Sequence, residues 1–337
     1  MITFEYARAS DVPEALRLVA GDRAKFIAGG TNLVDLMKVD VERPTKLVDI
    51  TRLPLSGVDR LQGGGVLVGA LVRNSDLANH PLVQERYPVL ASAIMAGASG
   101  QLRNMASTGG NVLQRTRCPY FYDTATPCNK RVPGTGCSAI DGFNRNNGIL
   151  GTSASCIATH PSDMCVALAM LGAIVHVSSL SGDRQIPMAD FHRLPGDTPN
   201  RDTNLESGEI ITAVELPAVG YAANYTYLKI RDRMSYAFAL VSVAAGLIVE
   251  GGVIKDARLA LGGVAHKPWR NPAAEVALRG QPANTATFSG AADLLLRDAK
   301  GYGHNTFKID LARRCISRAL TQAARGTPQS QSNKKIL

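Results

Sequence analysis

The sequence predicts an α+β protein in which three consecutive segments differ in their secondary-structure pattern. Residues 1–55 alternate short strands with helices, which is typical of a small parallel sheet. Residues 56–217 carry a glycine-turn hairpin and alternating strands, which favour an antiparallel sheet. Residues 222–325 combine three strands with helices whose apolar residues recur at helical spacing. A chain of 337 residues is long enough for two or three such domains.

The elements of the first segment follow from local signals. Asp11 is predicted to cap a helix, and Pro44 ends the connection to the last strand. Strands are predicted over 3–6, 25–28 and 46–50, with a short helix over 33–38.

The middle and final segments are predicted in the same way. Middle-segment strands are expected over 58–62, 66–70, 173–178, 185–187 and 209–216, and helices over 75–78, 90–98 and 162–171. Final-segment strands are expected over 225–230, 239–249 and 257–262, and helices over 272–278, 291–297 and 309–324. Residues 113–156 show almost no apolar period and predict a long loop, while the polar residues 326–337 predict a flexible tail.

Composition and charge exclude several classes of protein. The 37 basic and 28 acidic residues give a net charge of +9, but the basic residues are scattered and no aromatic residues interleave them, which excludes a nucleic-acid motif. A basic face for a negatively charged partner or electron acceptor is the better use of this charge. The longest apolar runs, 164–177 and 236–249, are too short for a membrane span. The first residues lack the pattern of a secretory signal.

Two glycine turns suit the phosphates of a dinucleotide. Gly29 and Gly30 follow a strand and precede a helix, and a second pair lies in the run 106–111, Ala-Ser-Thr-Gly-Gly-Asn. Adjacent glycines let the backbone approach a ligand, and their N–H groups can surround an anion. Either turn alone is also compatible with an ordinary connection. Two such turns, each flanked by Thr and Asn, favour a grip on a pyrophosphate from both sides.

Four cysteines lie in the predicted long loop, which suggests that a covalent crosslink or a bound metal group stabilises it. Cys118, Cys128, Cys137 and Cys156 lie among prolines and glycines in a stretch with no apolar core of its own. An iron–sulfur cluster, two disulfides and a zinc ion each fit this pattern. The absence of closely spaced cysteine pairs favours a [4Fe–4S] cluster over zinc. Cys165 and Cys315 lie on apolar helix faces and are interpreted as small core residues, with Cys165 as a substitute ligand.

Other candidate residues have plain structural interpretations. The Pro161-Ser162-Asp163 run precedes a helix and suits a helix cap. The histidines are dispersed without metal-ligand spacing. Lys229 lies in a strand, where the pattern favours a solvent-facing side chain.

Six short runs along the chain carry a family resemblance: Phe4-Glu5-Tyr6, Ala-Gly-Gly-Thr-Asn-Leu at 28–33, Ala-Ser-Thr-Gly-Gly-Asn at 106–111, Pro-Ser-Asp at 161–163, Gly-Glu-Ile-Ile at 208–211 and Leu-Lys at 228–229. Taken together, these runs resemble the FAD-binding subunits of the molybdenum hydroxylases, the xanthine dehydrogenase and aldehyde oxidase family. The resemblance extends in family order over nearly the whole chain. Within the family it is strongest to the periplasmic bacterial aldehyde oxidoreductases, whose extra cysteine-bearing insertion matches 115–158.

The resemblance implies a fold and a set of ligand-binding residues. The fold would be the two-subdomain FAD-binding fold of the vanillyl-alcohol-oxidase type, over 1–55 and 56–217, followed by a C-terminal domain with a three-stranded antiparallel sheet and a helical bundle. FAD would contact the first turn, the second turn and three residues beyond them: Phe26, Ile27, Ala28, Gly29, Gly30, Thr31, Asn32, Leu33, Ser107, Thr108, Gly110, Asn111, Asp163, Ile211 and Lys229. Ile211 and Lys229 would both lie near the flavin. The four loop cysteines would hold the [4Fe–4S] cluster.

The resemblance also implies electron transfer without substrate chemistry on this chain. A large molybdenum-cofactor subunit would oxidise the aldehyde, a small [2Fe–2S] subunit would pass electrons to the FAD, and an external acceptor would receive them. This heterotrimer would be periplasmic, exported with a signal-bearing partner, or alternatively cytoplasmic. The rival classes are a stand-alone FAD oxidase or dehydrogenase of the same fold and a nucleotide-binding scaffold with structural zinc.

Overall fold

A small parallel sheet forms the first unit of the molecule. The computed structural model describes residues 1–21 and 23–326. The unit contains β1 (Glu5–Arg8), α1 (Val12–Val19), β2 (Ala24–Ile27), α2 (Leu33–Lys38) and β3 (Lys46–Asp49). Its strands lie in the order β1-β3-β2 and are parallel. Asp11 caps α1 as predicted, because its carboxylate accepts a hydrogen bond from the Glu14 N–H at 2.7 Å.

The second unit is built around a larger antiparallel sheet. Its described elements are β4 (Val58–Arg60), β5 (Val66–Gly69), α3 (Asn74–Asn79), α4 (Pro81–Arg86), α5 (Pro88–Ala96), α6 (Gly100–Arg103), α7 (Thr108–Val112), α8 (Pro119–Tyr122), α9 (Ser138–Asp141), α10 (Asp163–Leu171), β6 (Ile174–Ser179), β7 (Gly182–Pro187), α11 (Met188–Phe191) and β8 (Ile210–Leu216). The strand order is β4-β5-β8-β6-β7, with antiparallel neighbours throughout. The cysteine-bearing insertion 115–158 holds only two single-turn helices, α8 and α9, which agrees with its lack of apolar period.

The third unit is an antiparallel sheet covered by helices. It contains β9 (Tyr225–Ile230), β10 (Val241–Glu250), β11 (Val253–Gly262), α12 (Pro272–Leu278), α13 (Thr285–Leu295) and α14 (Phe307–Ala324). The strands lie in the order β11-β10-β9. One face of α14 buries Ala312, Ile316 and Leu320 against the sheet, as the helical spacing predicts.

Helix α10 joins the second and third units. Every one of its nine residues is buried, so it has no polar face. It packs against α5 on one side and against β10 and β11 on the other. A helix that is apolar all round is expected only where neighbours cover it on every side. Its first residue, Asp163, is thereby fixed at a point where both units meet.

The predicted α+β fold is confirmed, and the differences from the sequence are local. Helix α4 is absent from the prediction, and α13 begins six residues earlier than expected because Asn284 caps a polar first turn. The predicted flexible tail, apart from Gly326, falls outside the described residues. Among the described helices none is both long enough and apolar enough to cross a membrane.

Candidate functional site

The two glycine turns face each other across a cleft between the first and second units. On one side of the turns is a cavity of about 1390 Å³, and on the other side a cavity of about 660 Å³. Thr31, Asn32 and Gly110 line both cavities, so the cleft continues across the turns. All eight predicted residues from Phe26 to Leu33 line the larger cavity. An extended dinucleotide with its phosphates at the turns would place one end in each cavity.

The first turn requires glycine for two separate reasons. A Cβ built on Gly29 would lie 1.9 Å from the carbonyl oxygen of Met105, where no side chain fits. Gly30 has a φ of +70°, a conformation that residues with a Cβ rarely adopt. The sequence indicates the second reason but not the first, because Met105 lies in a distant part of the chain.

The first turn offers hydrogen-bond donors that the protein does not use. Among the described residues, no acceptor takes the backbone N–H of any residue from 29 to 32. The Asn32 side chain accepts from the Arg115 N–H at 3.0 Å, which orients it, yet its buried Nδ2 has no partner within the described chain. Unpaired buried donors are rare unless a ligand pairs with them. A phosphate group fits this donor set, since it supplies several acceptor oxygens.

The second turn has different chemistry from the first. Its N–H groups are occupied: Thr108 donates to Val72, and Gly110 donates to the Ser107 hydroxyl at 3.2 Å. The Thr108 hydroxyl also donates to the Val72 carbonyl, so this buried side chain supports the turn and does not line either cavity. The second turn therefore lacks the unused backbone N–H groups of the first, because it starts helix α7 and is bonded to the residues that follow β5. It presents Ser107, Gly110 and Asn111 to the cleft. The grip on a pyrophosphate from both sides stays a prediction.

A buried ion pair forms the floor of the smaller cavity. The Asp163 carboxylate accepts from the Lys229 ammonium at 2.8 Å and from the Tyr227 hydroxyl at 2.6 Å. Lys229 also donates to the Ala96 carbonyl at 3.0 Å and is only 6% exposed, so its solvent-facing interpretation is wrong. Burial and the neighbouring Asp163 carboxylate raise the pKa of Tyr227 well above its usual range. Asp163 faces the cleft, and Lys229 lies behind it.

Ile211 and Asp163 contact different parts of the cleft. Ile211 lines the larger cavity, whereas Asp163 lines the smaller one. The two residues would therefore contact opposite ends of an extended ligand. The expectation that Ile211 and Lys229 both lie near the flavin does not fit this separation, because Lys229 lies behind Asp163.

A network of charges that the sequence does not reveal closes the larger cavity. Arg115 forms ion pairs of 2.7 Å with both Glu42 and Asp202, and all three line the cavity. Lys130 of the insertion binds the second oxygen of Asp202. Burial alone would raise the pKa of Asp202, but the positive charges of Lys130 and Arg115 hold it well below its usual range. The partners are far apart in the chain, so no local pattern indicates them.

Replacing Arg115 by methionine is expected to lower the free energy of unfolding by about 2 kcal/mol, below the cost of a fully uncompensated buried charge. The change removes the cation that Glu42 and Asp202 share, but Lys25 still pairs with Glu42 and Lys130 with Asp202. Urea denaturation followed by circular dichroism measures the effect. The matched control is Arg313→Met, whose partner Asp293 is exposed and whose loss should cost at most about 0.5 kcal/mol. Equal losses for the two variants would contradict a structural role for the network.

The four predicted cysteines converge on one small cavity. Cys118, Cys128, Cys137 and Cys156 line a space of about 260 Å³ together with Lys130. None of the six cysteines is in a disulfide, so no disulfide bond crosslinks the insertion. A hydrogen bond from the Cys156 thiol lowers the pKa of Cys137 to about 6. The Asn147 amide lies 3.6 Å from the Cys118 sulfur, and the Ala158 N–H lies 3.4 Å from the Cys156 sulfur.

This arrangement fits an iron–sulfur cluster better than a zinc ion. A tetrahedral zinc site with Zn–S bonds of about 2.3 Å brings its sulfurs to about 3.8 Å from one another. In the described part of the chain, the one set of three ligand atoms within 4.8 Å of one another lies elsewhere, so no three of these sulfurs are that close. A cubane cluster holds its thiolates farther apart, and N–H donors to the sulfurs are a common feature of such sites.

The structure also gathers residues that the sequence treats as unrelated. His160, Cys165 and His192 place potential ligand atoms within 4.8 Å of one another. His160 precedes α10, Cys165 lies in its first turn, and His192 follows α11. The interpretation of the histidines as dispersed is therefore wrong for this pair. No spacing rule could have found the set, because 27 residues separate Cys165 from His192.

Comparison with known proteins defines the class to which this fold and cleft belong. A family model described as "FAD binding domain in molybdopterin dehydrogenase" matches residues 2–219, and one described as "CO dehydrogenase flavoprotein C-terminal domain" matches residues 225–323. The chain belongs to the family of FAD-binding subunits of molybdenum hydroxylases, which are oxidoreductases.

Individual relatives agree with this assignment. The chain is 50% identical over 325 residues to the aldehyde oxidoreductase FAD-binding subunit PaoB of Escherichia coli K12, covering 96% of this chain and 99% of the relative. It is 30% identical over 269 residues to the glyceraldehyde dehydrogenase medium chain of Sulfolobus acidocaldarius, covering 79% and 78%. Among solved structures, carbon monoxide dehydrogenase from Hydrogenophaga pseudoflava matches with a TM-score of 0.76 and 27% identity, over 97% of this chain and all of that chain.

Proposed function

We propose that the chain is the FAD-carrying electron-transfer subunit of a molybdenum-dependent aldehyde oxidoreductase. The observation that carries the proposal is the first glycine turn, where N–H groups and the Nδ2 of Asn32 that have no partner among the described residues lie beside two continuous cavities. The family supports FAD as the dinucleotide. The assignment of an aldehyde as the substrate of the complex rests on the relative with 50% identity, whose name specifies aldehyde oxidoreductase.

Different residues of the cleft bind different parts of FAD. Residues 29–32 donate to the pyrophosphate, and Phe26, Ile27, Ala28 and Leu33 enclose it. The second turn limits the opposite side of the cleft through Ser107, Gly110 and Asn111, with Thr108 as its internal support. The adenosine end occupies the cavity that Ile211 lines.

The flavin end occupies the smaller cavity, where Asp163 is the charged residue held in place. When bound, FAD supplies the capacity to accept and release electrons in this cavity. The protein positions the ring and fixes its electrostatic surroundings. Lys229 and Tyr227 hold the Asp163 carboxylate in a single orientation, so a polar group of the flavin meets an acceptor that does not need to reorganise.

We also infer that Cys118, Cys128, Cys137 and Cys156 hold a [4Fe–4S] cluster. The convergence of the four cysteines on one cavity and the N–H donors near the sulfurs of Cys118 and Cys156 support this ligand set. The role we assign to the cluster is mainly structural: it orders the insertion, whose Arg115 and Lys130 reach the charge network of the FAD cleft.

The proposal includes partners and a compartment. Aldehyde oxidation takes place on a molybdenum-cofactor subunit, a [2Fe–2S] subunit passes electrons to the FAD, and an external acceptor removes them. The net charge of +9 suits contact with negatively charged partners. The resemblance to periplasmic aldehyde oxidoreductases supports a periplasmic heterotrimer, exported with a partner that carries the signal.

An absorption spectrum and a metal analysis of the purified full-length chain test the proposal. We expect flavin bands superimposed on broad visible absorbance that dithionite bleaches, with about four iron atoms per FAD. The chain alone should not oxidise aldehydes. A colourless protein containing zinc would refute the cofactor assignment, whereas aldehyde oxidation by the isolated chain would support a stand-alone flavin enzyme instead.

A further inference from the structure

We propose that His160, Cys165 and His192 bind one transition-metal ion of the zinc class, at a site separate from the four-cysteine cavity. Two imidazoles and one thiolate are a ligand set that zinc accepts readily. Their ligand atoms already lie within 4.8 Å of one another, so a tetrahedral ion would need only small side-chain movements. This site is independent of the proposed FAD and cluster functions.

Each histidine at this site has one buried ring nitrogen without a hydrogen-bond partner among the described residues. His192 Nε2 lies 2.8 Å from the Val112 carbonyl oxygen, so Nε2 carries the proton and Nδ1 presents a lone pair. That Nδ1 has no hydrogen-bond partner among the described residues, and neither does Nε2 of His160. A backbone carbonyl that fixes the tautomer of a histidine is the usual outer support of a metal ligand. Unpaired buried nitrogens would otherwise be costly.

The Cys165 thiol gives up its proton when its sulfur binds a cation, because the thiolate is the form that ligates a metal. Binding therefore releases one proton to solvent and forms one metal–sulfur bond.

His160 must change tautomer for Nε2 to act as the ligand. In the metal-free chain its Nδ1 accepts the Ser162 N–H at 3.3 Å, which leaves the proton on Nε2. Ligation transfers that proton to Nδ1 and gives up one weak local hydrogen bond. Four charged or polar groups from other parts of the chain lie near the cluster: Asp202, His266, Lys130 and Lys267. The Nε2 atom of His266 lies 3.8 Å from the Oδ1 atom of Asp202.

The site adjoins a cavity that supplies a path for an ion from the surface. His160 lines this cavity, whose volume is about 810 Å³. The set of ligand atoms within 4.8 Å of one another comprises three residues and leaves the fourth position of a tetrahedral ion to water.

Zinc binding by the full-length chain tests the proposal directly. The chain is prepared anaerobically with its iron and FAD retained, incubated with zinc alone, desalted and measured for zinc per chain. We expect one zinc per wild-type chain, and a reduction of roughly tenfold or more in Cys165→Ala and His192→Gln. The matched control is Cys315→Ala, which removes a buried thiol in the third unit and should retain zinc.

Two further readouts separate a metal site from a loss of folding. Zinc should raise the melting temperature of the wild-type and Cys315→Ala chains but not of the two site variants. Cobalt should give a thiolate charge-transfer band that disappears in Cys165→Ala while the iron content stays constant. Absence of bound zinc in the wild-type chain, or retention of zinc by both site variants, would overturn the proposal.

Discussion

Serine in place of Cys118, Cys128, Cys137 or Cys156 is expected to remove the iron from the chain in each of the four single variants. A hydroxyl is a poor ligand for a soft metal site, and the four sulfurs line one cavity, so the loss of one affects the whole set. Without the cluster, the insertion loses the group that joins its four cysteines, and its own secondary structure consists of two single-turn helices. Iron quantitation and limited proteolysis over residues 115–158 measure the two effects, and we expect cleavage of the variants at protease concentrations that leave the wild type intact.

The same variants distinguish a structural cluster from one on the electron route. Arg115 and Lys130 of the insertion hold Asp202 at the FAD cleft, so disorder there should also weaken FAD retention. If the cluster is structural, the rate per remaining FAD in the assembled enzyme should equal that of the wild type. A lower rate in molecules that keep FAD would place the cluster on the electron-transfer route. Cys315→Ser is the control, and iron retained at full occupancy in any of the four variants would contradict the ligand assignment.

Substitution of alanine for Gly29 is expected to lower FAD occupancy by roughly tenfold or more, which corresponds to at least about 1.4 kcal/mol of binding free energy. The added Cβ would lie 1.9 Å from the Met105 carbonyl oxygen, so the two turns must move apart and the cleft between them must widen. The donors of residues 29–32 would then no longer surround the pyrophosphate. The flavin-to-protein absorbance ratio of the purified chain, with FAD titration of the apoprotein, measures the loss.

Two other glycine substitutions define the cause of this effect. Gly63→Ala introduces the same methyl group at a turn with no atom within 4 Å of the new Cβ and should retain FAD. Gly30→Val tests the backbone conformation, because its φ of +70° disfavours any side chain. Full flavin content in Gly29→Ala would show that the close approach of the two turns is not required for binding.

The sequence predicts those parts of the molecule whose signals are local. Asp11, the glycine turns and the helical spacing in α14 each act within a few residues, and each predicts its element correctly. The burial of Lys229 is different. Strand β9 is covered by α5 on one side and α14 on the other, so the lysine has no solvent-facing side to occupy. The residue pattern of the strand alone could not show that helices cover both of its faces.

The parts of the site that depend on distant pairings could not be predicted from the sequence. Arg115 and Asp202 are 87 residues apart, and their ion pair exists only because the insertion folds back over the cleft. The approach of Gly29 to Met105 similarly depends on how the first unit docks against the second. Four cysteines, in contrast, are few enough and close enough in the chain to suggest a common site. Their spacing did not show whether that site holds an iron–sulfur cluster, disulfides or a zinc ion.

The fully buried helix α10 has a consequence for how the polypeptide can be divided. The two family segments, 2–219 and 225–323, look like independent modules, yet α10 belongs to the first and is covered in part by strands of the second. Cutting the chain between them would expose that apolar surface to water and leave the Asp163 carboxylate without Lys229. Folding is therefore cooperative across the junction, and a viable gene for the flavin-binding half alone would first have to acquire a polar surface on this helix.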